Sequence, residues 1–194
     1  MTTINATHLL AACGIAGMLV VSACSSDTAG AGASATPTPA AEAQNGEAAP
    51  VRYVDSRYHY QIDGPGHMTS NADGSASFIG PSERLEISVA QGSKASDPTA
   101  LANADAQSLA GSAAGFHQVS KPTSVTVGNL KAIKFVYTWN AGTSAVTGKT
   151  NVLTSVRYYI AKDPNTLAVI SYGIVSTQYD PQGADDVVST FQWL

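Results

Sequence analysis

The chain has 194 residues, a formal net charge of -4 and 44% hydrophobic residues, enough for one ordinary domain plus additional segments. From residue 51 onward, ten Lys and Arg residues are balanced by eleven Asp and Glu residues. This near-neutral part has no basic surface of the kind that binds nucleic acid or anionic lipid, so we expect no nucleic-acid partner.

The first residues have the pattern of an export signal. Leu9 to Val21 is a run of 13 residues without charge, which is typical of a signal peptide and too short for a membrane-spanning helix of about 20 residues. Val21, Ser22 and Ala23 then precede Cys24 and resemble the lipobox of bacterial prolipoproteins, in which small residues fit the peptidase and the cysteine receives lipid. Residues 2–8 depart from the usual pattern because they contain no Lys or Arg.

The lipobox predicts how the mature protein is anchored. A signal peptide over residues 1–23 would be cleaved before Cys24, whose thiol would carry diacylglycerol; whether its new amino group also takes an acyl chain such as palmitate stays open. Cys13 would leave with the signal peptide, so no disulfide could form within the mature chain. We therefore expect an exported protein held by covalent lipid at the outer face of the cell membrane.

The next segment predicts a flexible tether over residues 24–50. After Cys24 it is rich in Ala, Ser, Thr, Gly and Pro and contains no large apolar side chain, so it cannot bury enough surface to offset the entropy of ordering. A random-coil chain of this length would reach roughly 25–30 Å. Composition changes at Val51, and residues 51–194 are predicted to form a single folded domain.

Strand periodicity begins soon after residue 51. Tyr58 to Ile62 alternates as a first strand, and the turn Asn71 to Gly74 leads into a short strand that ends at Phe78-Ile79. Leu85 to Val89 alternates apolar and polar residues, which predicts a strand with one solvent-exposed face.

Two helices are predicted from their start signals. Asp97-Pro98 and Asp180-Pro181 each combine a capping carboxylate with a proline suited to the first helical position. The first helix is expected to run to about Gly115 with Asp105 on its polar side, and the second to carry Asp185-Asp186 in its first turn, where acids suit the helix dipole. Their apolar stripes are Ala102, Ala106, Leu109, Ala113 and Phe116, and Ala184, Val187, Val188, Phe191 and Leu194.

Between the helices the sequence predicts a meander of strands. Its strands are Val125 to Val127, Ile133 to Trp139, Val152 to Ile160 and Leu167 to Val175. Gly128-Asn129 suits a tight turn, Ala141 to Lys149 forms a polar loop, and the last strand is apolar on both faces and therefore central. This order predicts an α+β domain, an antiparallel β-sheet with two main helices packed on it.

Three local patterns stand out in the predicted domain. They are Tyr58-His59-Tyr60-Gln61-Ile62 running into Pro65, the hairpin from Val125 to Ala132 that feeds Phe135 and Tyr137, and the closing helix that ends at Phe191. Together they resemble the PsbP-like fold, named for an extrinsic subunit of photosystem II and shared by a small Ran-binding protein. His67-Met68 stand where such proteins often have Trp. The resemblance implies a PsbP-like domain that acts in binding or assembly, and the chain also looks like actinobacterial lipoproteins.

No motif in the chain predicts catalysis or a bound cofactor. The three histidines that processing would leave are not spaced as ligand pairs, so no metal site is expected. We interpret His59 as a solvent-facing strand residue and His117 as a cation at the exit of the first helix. Ser171-Tyr172-Gly173 is only half of a hydrolase elbow, and Gly64-Pro65-Gly66 lacks the third glycine of a dinucleotide loop.

The candidate surface residues are tyrosines. Tyr158 and Tyr159 are expected to face opposite sides of their strand, so that one is exposed, and Tyr179 joins them as a candidate contact for a partner. The sequence leaves three functions open. The first is a non-enzymatic binding or assembly module with an envelope protein partner, and the second is a carrier of a lipid or other apolar ligand between the sheet and the thinly packing first helix. The third is an uncharacterised hydrolase, for which no catalytic set is found.

Overall fold

The computed structural model describes residues 49–144 and 147–194, which belong to one unit of the chain. The predicted signal peptide, the lipobox Val21 to Ala23, Cys24 and the tether up to residue 48 lie outside the described residues. The strands are β1 (Val51–Asp55), β2 (Tyr60–Gly64), β3 (His67–Ser70), β4 (Ala76–Ile79), β5 (Glu83–Gln91), β6 (His117–Gln118), β7 (Thr123–Val127), β8 (Leu130–Thr143), β9 (Thr150–Asp163), β10 (Thr166–Val175) and β11 (Gln192–Trp193). The helices are α1 (Pro98–Ser112) and α2 (Pro181–Ser189), and short 3₁₀ turns lie at Gly92–Ala95 and Ser176–Gln178.

The strands form two antiparallel sheets. The larger sheet has the order β3–β4–β5–β10–β9–β8–β6, and β7 also pairs with β8. The smaller sheet has the order β1–β2–β11, so the end of the chain pairs with its second strand. The fold is therefore α+β and antiparallel, as the sequence predicts, but it has two sheets where one was predicted, and the helices are its smaller part.

Both helices begin where their capping signals predict. Asp97 accepts a hydrogen bond from the backbone N–H of Ala100 at 2.9 Å. Asp180 accepts from the N–H groups of Gln182 and Gly183 at 3.1 and 3.2 Å. These bonds satisfy N–H groups that a helix leaves free in its first turn. The first helix ends at Ser112, before the predicted Gly115, because the chain turns there to enter β6.

Each helix covers a different face of the larger sheet. On one face, α1 packs Ala102 and Ala106 against aromatic side chains of β8 and β9. On the other face, α2 and the smaller sheet cover the same strands with Ala184, Val188 and Phe191. Because β10 lies between β5 and β9 inside the sheet, the prediction that it is a central strand is confirmed.

The opening of the domain differs from the sequence prediction. Tyr58 and His59 lie in the turn between β1 and β2, where His59 is exposed and has a positive φ of 56°. His59 is therefore not a strand residue. β1 and β3 were not predicted, because each is a short strand defined by its pairing partner, β2 and β4, and carries exposed polar residues.

The later part of the domain requires three further corrections. His117 is exposed in β6, five positions beyond the end of α1, and is not a cation at the helix exit. Leu194 is 57% exposed and outside the α2 stripe, because the chain leaves the helix at Ser189 and becomes β11. The predicted polar loop is shorter than expected, since β8 extends to Thr143 and β9 begins at Thr150.

Candidate functional site

The three tyrosines proposed from the sequence do not form an exposed patch. Tyr158 and Tyr159 are 0% and 1% exposed, so the expectation that one of them is exposed is wrong. Their rings do point to opposite faces of β9, but a helix covers each face. Tyr179 is half-buried and packs against the same core as Tyr158.

On the α2 face, Tyr158 joins a polar cluster that the sequence did not indicate. Its hydroxyl donates to Oδ1 of Asp185 at 2.6 Å, and the Lys134 ammonium lies 2.6 Å from the same oxygen. The ammonium also lies 5.3 Å from the centre of the Tyr158 ring, within the range of a cation–π contact. Asp185 occupies the fifth position of α2, not its first turn, so it ties the helix to the sheet. Tyr158, Asp185 and Lys134 are called the α2-side cluster below.

On the α1 face, Tyr159 forms a second cluster of the same kind, with an arginine in place of the lysine. Its hydroxyl donates to Oδ2 of Asp105 at 2.8 Å, and Nη1 of Arg157 donates to the same oxygen at 3.0 Å. The Asp105 side chain therefore contacts the sheet, although 29% of it is exposed, whereas the sequence predicts it on the polar side of the helix. Tyr159, Asp105 and Arg157 are called the α1-side cluster below.

The environment of these phenols keeps them protonated. Burial raises the pKa of Tyr158 well above its ordinary value, and the hydrogen bond to Asp185 raises it further. Burial and the charge of Asp105 likewise raise the pKa of Tyr159. A phenol whose ionisation is suppressed is a stable hydrogen-bond donor, so both clusters are suited to holding helices rather than to transferring protons.

A groove of about 460 Å³ opens on the α1 face, where α1 ends before it has covered the whole sheet. It is called the α1-side groove below. Its floor comes from four neighbouring strands and its roof from the last turn of α1. The lining residues are Arg84, Glu86, Leu109, Ser112, Ala113, Ala114, Tyr137, Trp139, Asn140, Leu153, Ser155, Arg157, Ser171, Tyr172 and Gly173.

The register of the strands explains the depth of the groove. Gly173 of β10 is paired with Arg84 on one side and with Ser155 on the other. A Cβ added to Gly173 would lie 3.6 Å from Oγ of Ser155 and 4.0 Å from the Arg84 carbonyl oxygen, which are ordinary contacts. The glycine is thus not required by backbone strain, and its missing side chain leaves the space open.

The two ends of the groove differ in polarity. At the β8 end, the indole N–H of Trp139 donates to Oγ of Ser155 at 3.0 Å, so the ring presents apolar surface, together with Leu153 and Leu109. At the β5 end lie the charged side chains Arg84 and Glu86. The lining therefore combines apolar walls with a few polar groups, which is the usual composition of a small-molecule site.

The groove contains hydroxyl groups but none of the partners that would activate one. Ser155 and Ser171 line it, and Ser171 belongs to the half-elbow seen in the sequence. Among the described residues that line the groove, none is a histidine. Ser171 lies within the regular part of β10, between Ile170 and Tyr172, and not on the strand-to-helix turn that a hydrolase elbow requires.

A second groove, of about 530 Å³, lies between β2 and α2 beside Pro50. Its lining includes Asp63, Glu83 and Asp186. Asp63 is engaged by Arg52 at 2.7 Å, which lowers the pKa of its carboxyl, and Glu83 accepts a hydrogen bond from Tyr172. The charged groups of this lining are all acids, whereas the α1-side groove carries two arginines.

The described part of the chain contains neither a cluster of metal ligands nor a membrane-spanning helix. Within residues 49–144 and 147–194, no group of three or more His, Cys, Asp or Glu side chains lies close enough to hold a metal ion. None of the helices in these ranges is long and apolar enough to cross a membrane.

Several solved structures are similar to part of this chain. A protein of Bacteroides thetaiotaomicron VPI-5482 is 15% identical with a TM-score of 0.48, over 74% of this chain and 48% of that one, so the chain spans about half of its length. The Ran-binding protein Mog1p of Saccharomyces cerevisiae is 10% identical with a TM-score of 0.48, over 74% and 94%. LpqN, involved in cell envelope biogenesis of Mycobacterium tuberculosis, is 11% identical with a TM-score of 0.39, over 75% and 83%.

These likenesses are weak. All three TM-scores are below 0.5 and all three identities are 15% or less, so they carry no argument about activity or ligand. One of the three is a Ran-binding protein, the kind of protein that the sequence resemblance names. No protein-family model matches the sequence, and no curated protein matches it at a significant level.

Proposed function

We propose that this protein is a lipid-anchored binding module of the cell envelope with a PsbP-like domain, and that the α1-side groove holds an apolar or amphipathic ligand. The observation that carries the proposal is the groove itself. Its volume of about 460 Å³ falls within the roughly 300–1,000 Å³ of typical ligand sites, and its walls are mostly apolar.

A non-enzymatic role is part of this proposal. It is supported by the absence of a histidine in the groove lining and by the position of Ser171 within a regular strand. Tyr159 of the α1-side cluster also favours binding over catalysis, because its hydroxyl already donates a hydrogen bond to Asp105. A groove with open apolar walls and no histidine beside its serine hydroxyls can hold a molecule without changing it.

Native mass spectrometry of the full chain purified from its own membranes tests the ligand. We expect a mass adduct on the wild-type protein that is lost in Gly173→Leu, because the new side chain would project into the groove without straining the backbone. Gly111→Leu is the matched control: it adds the same side chain on the exposed surface of α1, where no atom lies within 4 Å of the added Cβ.

Two results would contradict the proposed ligand site. A protein that never carries an adduct is not a carrier. An adduct that persists in Gly173→Leu as strongly as in Gly111→Leu is held somewhere other than the α1-side groove.

An assembly role is the second candidate. It is favoured by the half of the sheet that α1 leaves uncovered, where Ile79 of β4 is 53% exposed beside the edge strand β3. Cross-linking on living cells from a photoreactive residue at position 79 tests it, with position 54 of β1 as the control, since Val54 is also 53% exposed but belongs to the smaller sheet. A reproducible protein adduct from 79 alone supports assembly, and equal or no adducts from both positions contradict it.

The anchor is tested at Cys24. Cys24→Ala is expected to abolish lipid attachment, so that the chain stays unprocessed or is shed from the membrane. Cys13→Ala is the matched control because Cys13 lies in the segment that would be removed, and it should leave maturation unchanged. A Cys24→Ala protein that is still matured and membrane-bound would exclude the lipoprotein proposal.

A further inference from the structure

The polar floor of the α1-side groove specifies the chemical class of its ligand, an inference that rests on the proposed function. We propose that the groove selects an amphiphile with a carboxylate head and an apolar tail. Its lining carries two arginines, Arg84 and Arg157. Each is paired with one acid, Glu86 or Asp105, so what the groove offers a ligand is guanidinium N–H donors and not an excess of charge.

Arg157 has donors that the protein itself does not satisfy. A guanidinium carries five N–H donors. Nη1 donates to Asp105, while Nε is buried and has no acceptor among the residues that the structure describes. Buried donors without an acceptor are uncommon in folded proteins and call for a specific explanation. The Arg157 side chain remains one-quarter exposed, so a carboxylate in the groove would accept from the exposed part of this side chain and not from the buried Nε.

Arg84 is the second donor for the same head group. It forms an ion pair with Glu86 at 2.6 Å, but the two side chains are 48% and 52% exposed. Exposed pairs of this kind are weak and exchange readily, so Arg84 is free to turn towards a ligand. The pairing Arg84–Gly173–Ser155 places Arg84 two strands from β9, roughly 10 Å across the sheet, with the open space over Gly173 between them.

The opposite end of the groove suits the tail. Trp139, Leu153 and Leu109 lie on the side of β8 and α1, away from Arg84. Because the only polar group of the indole is already bonded to Ser155, a methylene chain can lie against the ring without leaving a donor unsatisfied. The head is therefore directed towards β5 and β10, and the tail towards β8.

Photolabelling of the full chain in membranes of cells that produce it tests this polarity. Three probes are compared that share a twelve-carbon chain bearing a diazirine and differ only in the head group, which is a carboxylate, an alcohol or an amine. The adducts are mapped by mass spectrometry. We expect the carboxylate to label groove peptides at least about tenfold more than the alcohol, and the amine least. Arg84→Gln and Arg157→Lys should each lower the acid-to-alcohol ratio, whereas Arg52→Gln, an exposed arginine paired with Asp63, should not.

Each outcome of the photolabelling experiment distinguishes the carboxylate inference from the proposed ligand site or tests both. The ratio is internal to each variant, so a folding defect that lowers both labels does not change it. If acid and alcohol label the groove equally and Gly173→Leu removes both, the carboxylate inference fails and the proposed ligand site stands. A ratio that is unchanged in both arginine variants, or a preference for the amine, also overturns the inference. If no probe labels the groove, the inference and the proposed ligand site fail together.

Discussion

The hydroxyl of Tyr158 lies 2.6 Å from Oδ1 of Asp185, and this bond ties α2 to the centre of the sheet. The next residue does the same on the other face, where Tyr159 donates to Asp105 of α1 at 2.8 Å. Each aspartate also accepts from a cation of the sheet, Lys134 or Arg157. Two consecutive residues of one strand thus hold the two helices on opposite faces.

Removing the shared acceptor of the α2-side cluster should destabilise the domain. Asp185→Ala is expected to lower the free energy of unfolding by about 2–3 kcal/mol, because it leaves the Tyr158 hydroxyl and the mostly buried Lys134 ammonium without their acceptor. Tyr158→Phe should cost less, about 1–2 kcal/mol, since the Lys134–Asp185 pair survives. Urea denaturation followed by tryptophan fluorescence measures both.

The neighbouring acid supplies the control for this comparison. Asp186 is exposed and accepts a hydrogen bond from Gln182, so Asp186→Ala should change stability by no more than about 0.5 kcal/mol. Equal effects of Asp185→Ala and Asp186→Ala would mean that the α2-side cluster does not hold the helix.

The two clusters should act on separate helices. Asp105→Ala removes the acceptor of Tyr159 and Arg157, so we expect faster amide hydrogen exchange in α1 with little change in α2. Asp185→Ala should give the reverse pattern. Exchange measured by mass spectrometry resolves the two helices, and a uniform increase over both in either variant would show that they open together instead.

The helix starts could be predicted from the sequence because their signals are local. A capping carboxylate and a proline lie next to each other at Asp97-Pro98 and Asp180-Pro181, and each bond closes within three residues. The alternation of Leu85 to Val89 likewise depends on neighbours along the chain, and β5 spans it. Features of this kind can be predicted without knowing which distant residues pack against them.

The clusters and the groove could not be predicted because they depend on distant contacts. Alternation placed Tyr158 and Tyr159 on opposite faces, but whether each face is covered depends on helices 27 and 54 residues away in the chain. Asp105 and Asp185 look like ordinary surface acids until those helices are placed. Gly173 belonged to an incomplete motif, and only the strand register shows that its missing side chain opens the groove.

The buried tyrosines should make the domain sensitive to alkali. Burial raises the pKa values of Tyr60, Tyr158, Tyr159 and Tyr172, whereas in the unfolded chain tyrosine ionises near 10.0. The stability that these phenols contribute should therefore be fully present below pH 10. It should fall as the pH rises further, because the unfolded state loses protons that the folded state keeps. Each such phenol contributes up to about 1.4 kcal/mol per pH unit.

Tyr158→Phe isolates one contribution to that slope. Urea midpoints between pH 8 and 12 should show a variant that is less stable at pH 8 but loses stability less steeply above pH 10. The slope of unfolding free energy against pH is measured within each protein. The hydrogen bond that Tyr158→Phe loses at neutral pH therefore does not affect the comparison of slopes. An unchanged slope would mean that Tyr158 ionises in the folded protein as it does in the unfolded chain.

The glycine at the end of β2 should be intolerant of a side chain. A Cβ at Gly64 would lie 2.4 Å from ring atoms of Phe78, which is fully buried in the core. Gly64→Ala is therefore expected to lower the free energy of unfolding by about 1–3 kcal/mol through overpacking. Gly111→Ala is the matched control, because its Cβ would meet no atom within 4 Å and alanine favours a helix, so it should be neutral or raise stability by up to about 1 kcal/mol. Thermal unfolding distinguishes the two, and a Gly64→Ala protein as stable as Gly111→Ala would show that the Phe78 ring does not pack across this strand.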